Sequence, residues 1–102
     1  MRSAKVEILC KFTWGEKITP KEAIELCDRL EAEIDEAIKT DKIADYRLIW
    51  MAGVFQLIND LVKNDVNQDK AEREAQIKYV VEAEFRATKK VIEFIQTPVV
   101  NR

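Results

Sequence analysis

The stretch LIWMAGVFQLI, from Leu48 to Ile58, decides how this chain folds, because only Gly53 and Gln56 interrupt its run of apolar residues. On a helix it forms two apolar seams with alternating steps of three and four residues. The seams are Trp50, Val54, Leu57 and Leu61, and Leu48, Met51, Phe55, Ile58 and Val62. Such a helix must be covered from at least two directions, since each large apolar side chain left in water forgoes about 1.5–3 kcal/mol. The stretch therefore predicts a central helix in a small all-α domain.

The composition fits one helical domain spanning residues 1–102. Apolar residues make up 47% of the chain and charged residues 35%, while glycine and proline occur twice each. This balance favours long helices with short connections. The formal charge of −2 argues against a dedicated nucleic-acid surface.

Local patterns predict four secondary-structure elements followed by a tail. Apolar residues at every second position from Val6 to Trp14 predict a β-strand over residues 5–14, alone or as the first arm of a short hairpin. Thr19-Pro20-Lys21-Glu22 is a capping box that begins a helix over residues 20–39. Two further helices are expected over residues 42–63 and 68–96, followed by a tail over residues 97–102. The predicted fold is mainly α, an antiparallel three-helix bundle preceded by an N-terminal β-strand or short hairpin.

Three features of this scheme predict a homodimer. The second helix is apolar on two sides, the strand has no partner within the chain, and the third helix is longer than the other two. A second subunit would cover Phe12 and Trp14 of the strand together with Trp50 and Phe55 of the central helix. Trp50 alone is also explained as an ordinary core residue.

Residue types that support catalysis or export are scarce. Histidine is absent, which removes the commonest general base and zinc ligand. Cys10 and Cys27 follow no metal or disulfide spacing and lie among apolar residues, so we expect reduced core thiols.

The first residues, MRSAKVEILCKF, lack the apolar region of a secretory signal. The run LIWMAGVFQLI is shorter than the ~20 apolar residues of a membrane span. We therefore expect a cytoplasmic protein without membrane association.

The helix over residues 20–39 has an acidic outer face that includes Glu25, Asp28, Glu31 and Asp35. One interpretation is a solvated face whose first carboxylates complement the helix dipole. The other is a partner-binding surface that attracts a basic protein by electrostatic steering.

Two carboxylates on this helix, Glu33 and Glu36, are spaced so that they could share a divalent cation. The surrounding EAEIDEAI resembles the first half of the magnesium site in the all-α nucleoside triphosphate pyrophosphatases of the MazG and dimeric dUTPase group. Their pattern is a Glu-x-x-Glu helix followed by a Glu-x-x-Asp helix. In this chain the second position falls near FQLIND, where Asp60 is the available third ligand and no glutamate has the required spacing. The resemblance implies a metal-dependent nucleotide pyrophosphohydrolase as an alternative function.

Arg86, Lys89 and Lys90 form a small basic patch on the third helix, among acidic neighbours. This mixture is typical of an exposed face with salt bridges, and a nucleic-acid-binding accessory protein is the remaining alternative. The leading hypothesis is a small non-catalytic protein-interaction or regulatory protein without a cofactor, acting on an unidentified protein partner through its acidic face or a dimer surface. Its size and lack of a recognised motif are typical of proteins encoded by phages and mobile elements.

Overall fold

The computed structural model describes residues 2–40, 46–65 and 69–96, and every regular element within these ranges is an α-helix. The helices are α1 (Ala4–Trp14), α2 (Pro20–Thr40), α3 (Tyr46–Gly53), α4 (Phe55–Lys63) and α5 (Lys70–Gln96). The predicted all-α class is therefore confirmed. None of these helices is both long enough and apolar enough to cross a membrane. The predicted tail over residues 97–102 and the predicted helix start at residues 42–45 lie outside the described residues.

The predicted β-strand over residues 5–14 is wrong, because this segment is helix α1. The Ser3 hydroxyl accepts a hydrogen bond from the Val6 amide at 3.2 Å and caps the start of the helix. At the other end, Gly15 has a φ of 66°. The amides of Gly15 and Glu16 donate to the carbonyls of Phe12 and Lys11, a pattern that closes a helix C-terminus.

The helices run alternately up and down, so α1 adds a fourth position to the predicted three-helix bundle. Helix α1 is antiparallel to α2, because contacts with its early residues fall late in α2 and contacts with its late residues fall early. These contacts are Ala4 with Glu33, Glu7 with Arg29, and Lys11 with Glu22. Helices α3 and α4 together occupy the third position and pack against both α2 and α5. Helix α5 packs against α2, α3 and α4.

The central stretch is split at Val54, which separates α3 from α4 without ending the run of backbone hydrogen bonds. One predicted seam is entirely buried: Leu48, Met51, Phe55, Ile58 and Val62. The other is mixed, since Val54 is buried while Trp50 is about half exposed. The prediction that this helix is central is therefore correct for one seam, and the second seam reaches the surface at α3.

Helix α2 begins at the predicted capping box. The Glu22 amide donates to the Thr19 hydroxyl at 3.1 Å, and the Thr19 amide donates to the Glu22 carboxylate at 3.4 Å. The same carboxylate pairs with the Lys11 ammonium at 2.8 Å. This hydrogen bond lowers the pKa of Glu22 and raises that of Lys11. One side chain thus caps α2 and holds α1 beside it.

Replacing Gly15 with alanine is expected to lower the free energy of unfolding by about 1 kcal/mol. The cost is conformational, because a Cβ at Gly15 meets no atom within 4 Å while its φ of 66° disfavours any side chain. Gly53→Ala is the matched control, since Gly53 is helical and its Cβ also meets nothing within 4 Å. We expect that control to raise stability by up to about 1 kcal/mol. Urea denaturation followed by circular dichroism measures both, and a loss at Gly53 equal to that at Gly15 would contradict the assignment.

Candidate interaction surface

The acidic face of α2 is largely engaged by α5 of the same chain. Three of its four predicted partner-binding carboxylates have a polar side chain of α5 opposite them, while Glu25 is exposed. The pairs are Tyr79 donating to Asp28 at 2.5 Å, Arg86 donating twice to Glu31 at 2.6 and 3.2 Å, and Lys90 with Asp35 at 2.9 Å. Because a partner would have to displace these contacts, the face is a poor docking surface in this conformation.

The Tyr79 hydroxyl is the most perturbed group of this row. Its hydrogen bond to Asp28, together with some burial, raises the pKa of Tyr79 to about 12. The folded state therefore holds the phenolic proton more tightly than the unfolded state does. The stability that this contact contributes is fully present below pH ~10 and is lost as the pH rises through 12.

This shift can be measured directly, because Tyr46 and Tyr79 are the two tyrosines of the chain. In the variant Tyr46→Phe, we expect the ultraviolet absorbance of phenolate to appear only as the pH approaches 12. Adding Asp28→Ala should move this transition down towards the ordinary tyrosine pKa of about 10. The circular dichroism signal must be constant over the range used, and an unchanged transition in the double variant would show that Asp28 is not the cause.

The predicted basic patch is also partly neutralised. Arg86 and Lys90 are the two cations paired with Glu31 and Asp35, and the Glu31 carboxylate raises the pKa of Arg86. Lys89 is exposed on another side of α5. Two of the three charges proposed for nucleic-acid binding are thus opposed by carboxylates of α2.

The predicted metal ligands have separate surroundings. Glu33 accepts the Ala4 amide at 2.6 Å and so caps the N-terminus of α1, and Asp60 accepts the side-chain amide of Gln56 at 3.2 Å. Glu36 is exposed on α2. Within residues 2–40, 46–65 and 69–96, no three Cys, Asp or Glu side chains are grouped in a way that could hold a metal ion. Binding a cation through Glu33 would also release the start of α1.

The four predicted interface residues do not form one surface. Phe55 is fully buried in the core of its own chain, so its assignment to an interface must be corrected. Trp50 is about half exposed, and the Lys5 ammonium lies 5.2 Å from the centre of its ring. Trp14 is 77% exposed but lies nine residues beyond Lys5, about 14 Å along α1. Phe12 lies near Trp14, so α1 presents these two aromatics far from Trp50.

A different set of apolar residues, on α5, forms a continuous exposed seam. Val81, Phe85, Ile92 and Ile95 are 41–71% exposed, with Thr88 completing the row. Their steps of four, three, four and three residues place them on one side of the helix. A second row of α5, which includes Val80, Ala83, Ala87 and Val91, is buried in the core. The seam is therefore additional to the face that folds the chain.

Helix α3 forms one wall of a groove along this seam. The groove, of about 390 Å³, is lined from α3 by Ile49, Ala52 and Gly53 and from α5 by Glu84, Thr88, Val91, Ile92 and Ile95. The exposed side chains of Tyr46, Ile49 and Trp50 continue the apolar area around α3. We refer to the seam together with these three α3 residues as the α3–α5 surface.

The alternating steps of three and four residues in the α5 seam are visible in the sequence. Because two apolar rows overlap along α5, the sequence does not show which row faces the core.

Comparison with protein-family models, with curated proteins and with solved structures found no match.

Proposed function

We propose that this chain is a small non-catalytic interaction or regulatory protein that acts through the α3–α5 surface. The observation that carries the proposal is the exposed seam of α5. Single exposed apolar residues are common on proteins and need no explanation. A contiguous row with alternating steps of three and four residues is what one helix presents to another.

The contacts of the acidic face of α2 favour the α3–α5 surface over that face as the binding surface. Asp28, Glu31 and Asp35 already have partners on α5, whereas the α3–α5 surface is open. Covering it would bury a phenylalanine and several aliphatic side chains, each worth about 1.5–3 kcal/mol when fully removed from water. An apolar partner surface thus gains more free energy here than a basic partner would gain on α2.

The surroundings of Cys27 support the non-catalytic part of the proposal. Burial, reinforced by Asp28 and Glu31, raises the pKa of the Cys27 thiol to about 12. A thiol is nucleophilic only as its thiolate, so Cys27 is poorly suited to covalent chemistry. The chain contains no histidine that could serve as its base.

The variant Phe85→Asp tests the proposal, because it places a charge in the centre of the seam. Phe85 is 71% exposed, so the substitution leaves the core intact. We expect association, whether with a second copy or with a captured protein, to weaken by about 100-fold, because an unpaired charge would be buried at the contact.

Glu25→Lys is the matched control, since it changes charge on the exposed side of α2 away from the seam. Both variants are compared with the wild type by sedimentation of the pure protein and by pull-down from the native host. Association lost in Phe85→Asp and kept in Glu25→Lys supports the proposal. If Phe85→Asp behaves as the wild type in both measurements, the α3–α5 surface is not the functional site.

A further inference from the structure

The seam of α5 is self-complementary. In heptad notation, Phe85 and Ile92 occupy the a positions, and Val81, Thr88 and Ile95 the d positions. The row continues towards the N-terminus as Lys78 and Glu74, so its apolar part ends at Val81 and extends about 21 Å. A helix with the same short apolar row and a free face would match it, and α5 of another copy is such a helix. Resting on the proposed function, we infer that the partner seated on the α3–α5 surface is a second copy of this chain.

The position of α3 determines how the two copies are oriented. Helix α3 lies along residues 84–95 of α5, beside the middle of the seam. A two-fold axis perpendicular to α5 would bring both copies of α3 to the same side of the α5 pair at nearly the same height, where they would collide. A two-fold axis parallel to α5 places them on opposite sides. Each α5 then lies in the groove between α3 and α5 of the other copy, and the two α5 helices are parallel.

The charges that flank the seam agree with the parallel orientation. Glu84 immediately precedes the a position of Phe85, and Lys89 immediately follows the d position of Thr88. In a parallel pair, these two positions face each other across the seam, so Glu84 of each copy meets Lys89 of the other. The remaining flanking positions, Ile77, Glu82, Val91 and Gln96, bring no like charges together. On the row itself, Lys78 and Glu74 would each meet the same residue of the other copy, so the parallel contact ends at Val81. Parallel pairing therefore forms two opposite-charge contacts per dimer.

Cross-linking tests the orientation. In a Cys10→Ser background, Val81→Cys places a thiol at a d position, where two parallel helices meet at the same residue. We expect mild oxidation to give a covalent dimer. Glu82→Cys is the matched control, one residue along at a flanking position; in a parallel pair the two copies of this residue lie on opposite sides of the seam, so it should remain uncross-linked. If only a mixture of Val81→Cys and Ile92→Cys chains cross-links, the helices are antiparallel, since a d position then faces an a position, and the inference is overturned.

Exchanging the charges of Glu84 and Lys89 tests the inferred contacts between these residues of the two copies. We expect Glu84→Lys alone and Lys89→Glu alone to raise the dimer dissociation constant by about tenfold, because each creates two like-charge contacts per dimer. The double variant Glu84→Lys/Lys89→Glu should return to within about threefold of the wild type, since the pairs are restored with reversed sign. A double variant as weak as the sum of the two single variants would overturn the assigned pairing.

The two proposals fail in different ways. If the wild type sediments as a monomer at micromolar concentration, while Phe85→Asp still abolishes capture of another protein, the self-association inferred here is wrong and the interaction function stands. If Phe85→Asp alters neither measurement, both proposals are wrong.

Discussion

Replacing Phe55 with alanine is expected to lower the free energy of unfolding by about 3–5 kcal/mol. Phe55 is 0% exposed and stands at the start of α4, among the largest buried side chains of the core. Its ring is surrounded by atoms that cannot collapse fully into the space it leaves, so the loss combines the transfer of an aromatic side chain with a cavity term. Because small domains are stable by only about 5–15 kcal/mol, this single change would remove a large share of the total.

Phe85→Ala is the matched control, because it removes the same atoms from a side chain that is 71% exposed. At a protein concentration below that at which the chain self-associates, we expect a change within about 0.5 kcal/mol. Urea denaturation followed by circular dichroism measures both variants. Equal losses would contradict the core assignment of Phe55.

Helix α2 shows what could be read from the sequence alone. Its start depends on Thr19 and Glu22, three residues apart, and its buried stripe on residues no more than four apart. All the interactions that define it as a helix are therefore local, and local spacing is what a sequence displays. The structure gives Pro20–Thr40 where the pattern predicted residues 20–39.

The surroundings of the acidic face could not be read in the same way. The side chains that engage Asp28, Glu31 and Asp35 lie 51 to 55 residues further along the chain. Their approach depends on α2 and α5 being parallel neighbours, which follows from the whole topology. A free acidic face and a face paired with another helix have the same local pattern, so the sequence left both interpretations open.

The exposed seam of α5 could not be predicted from the sequence, for a related reason. Apolar residues from Ile77 to Ile95 cover most of the helix circumference, and the sequence does not say which rows the other helices reach. The 4–3 spacing of Val81, Phe85, Thr88, Ile92 and Ile95 was present throughout. The structure shows that a different row is buried in the core, so the row with this spacing is exposed. The buried row is Val80, Ala83, Ala87 and Val91.

Helix α1 is the clearest disagreement between the prediction from sequence and the structure. Its apolar residues do recur at every second position, but this pattern does not determine its secondary structure. Among Val6, Ile8, Phe12 and Trp14, the side chain of Ile8 is buried and the other three are exposed. The stronger signals were the caps, Ser3 before the segment and Gly15 after it. Glu33, which also caps α1, lies 29 residues away in the chain, so no pattern within the segment itself indicates this contact.

Helix and strand make opposite predictions for this segment, and Ile8→Ala separates them. In the helix Ile8 is 0% exposed, facing the core with Ala4, so we expect its truncation to lower the free energy of unfolding by about 2–5 kcal/mol. Phe12→Ala should cost less than Ile8→Ala, and Trp14→Ala less than about 1 kcal/mol, although both remove more atoms, because the two side chains are 45% and 77% exposed.

A strand would place Ile8, Phe12 and Trp14 on one face, since side chains alternate along it. With that face buried, the two aromatic truncations would be at least as costly as Ile8→Ala, about 3–5 kcal/mol each. The order of the three losses, measured by urea denaturation in dilute solution, therefore distinguishes the two structures without depending on their absolute size. A loss at Phe12 or Trp14 that exceeds the loss at Ile8 would reject helix α1 as the structure of this segment.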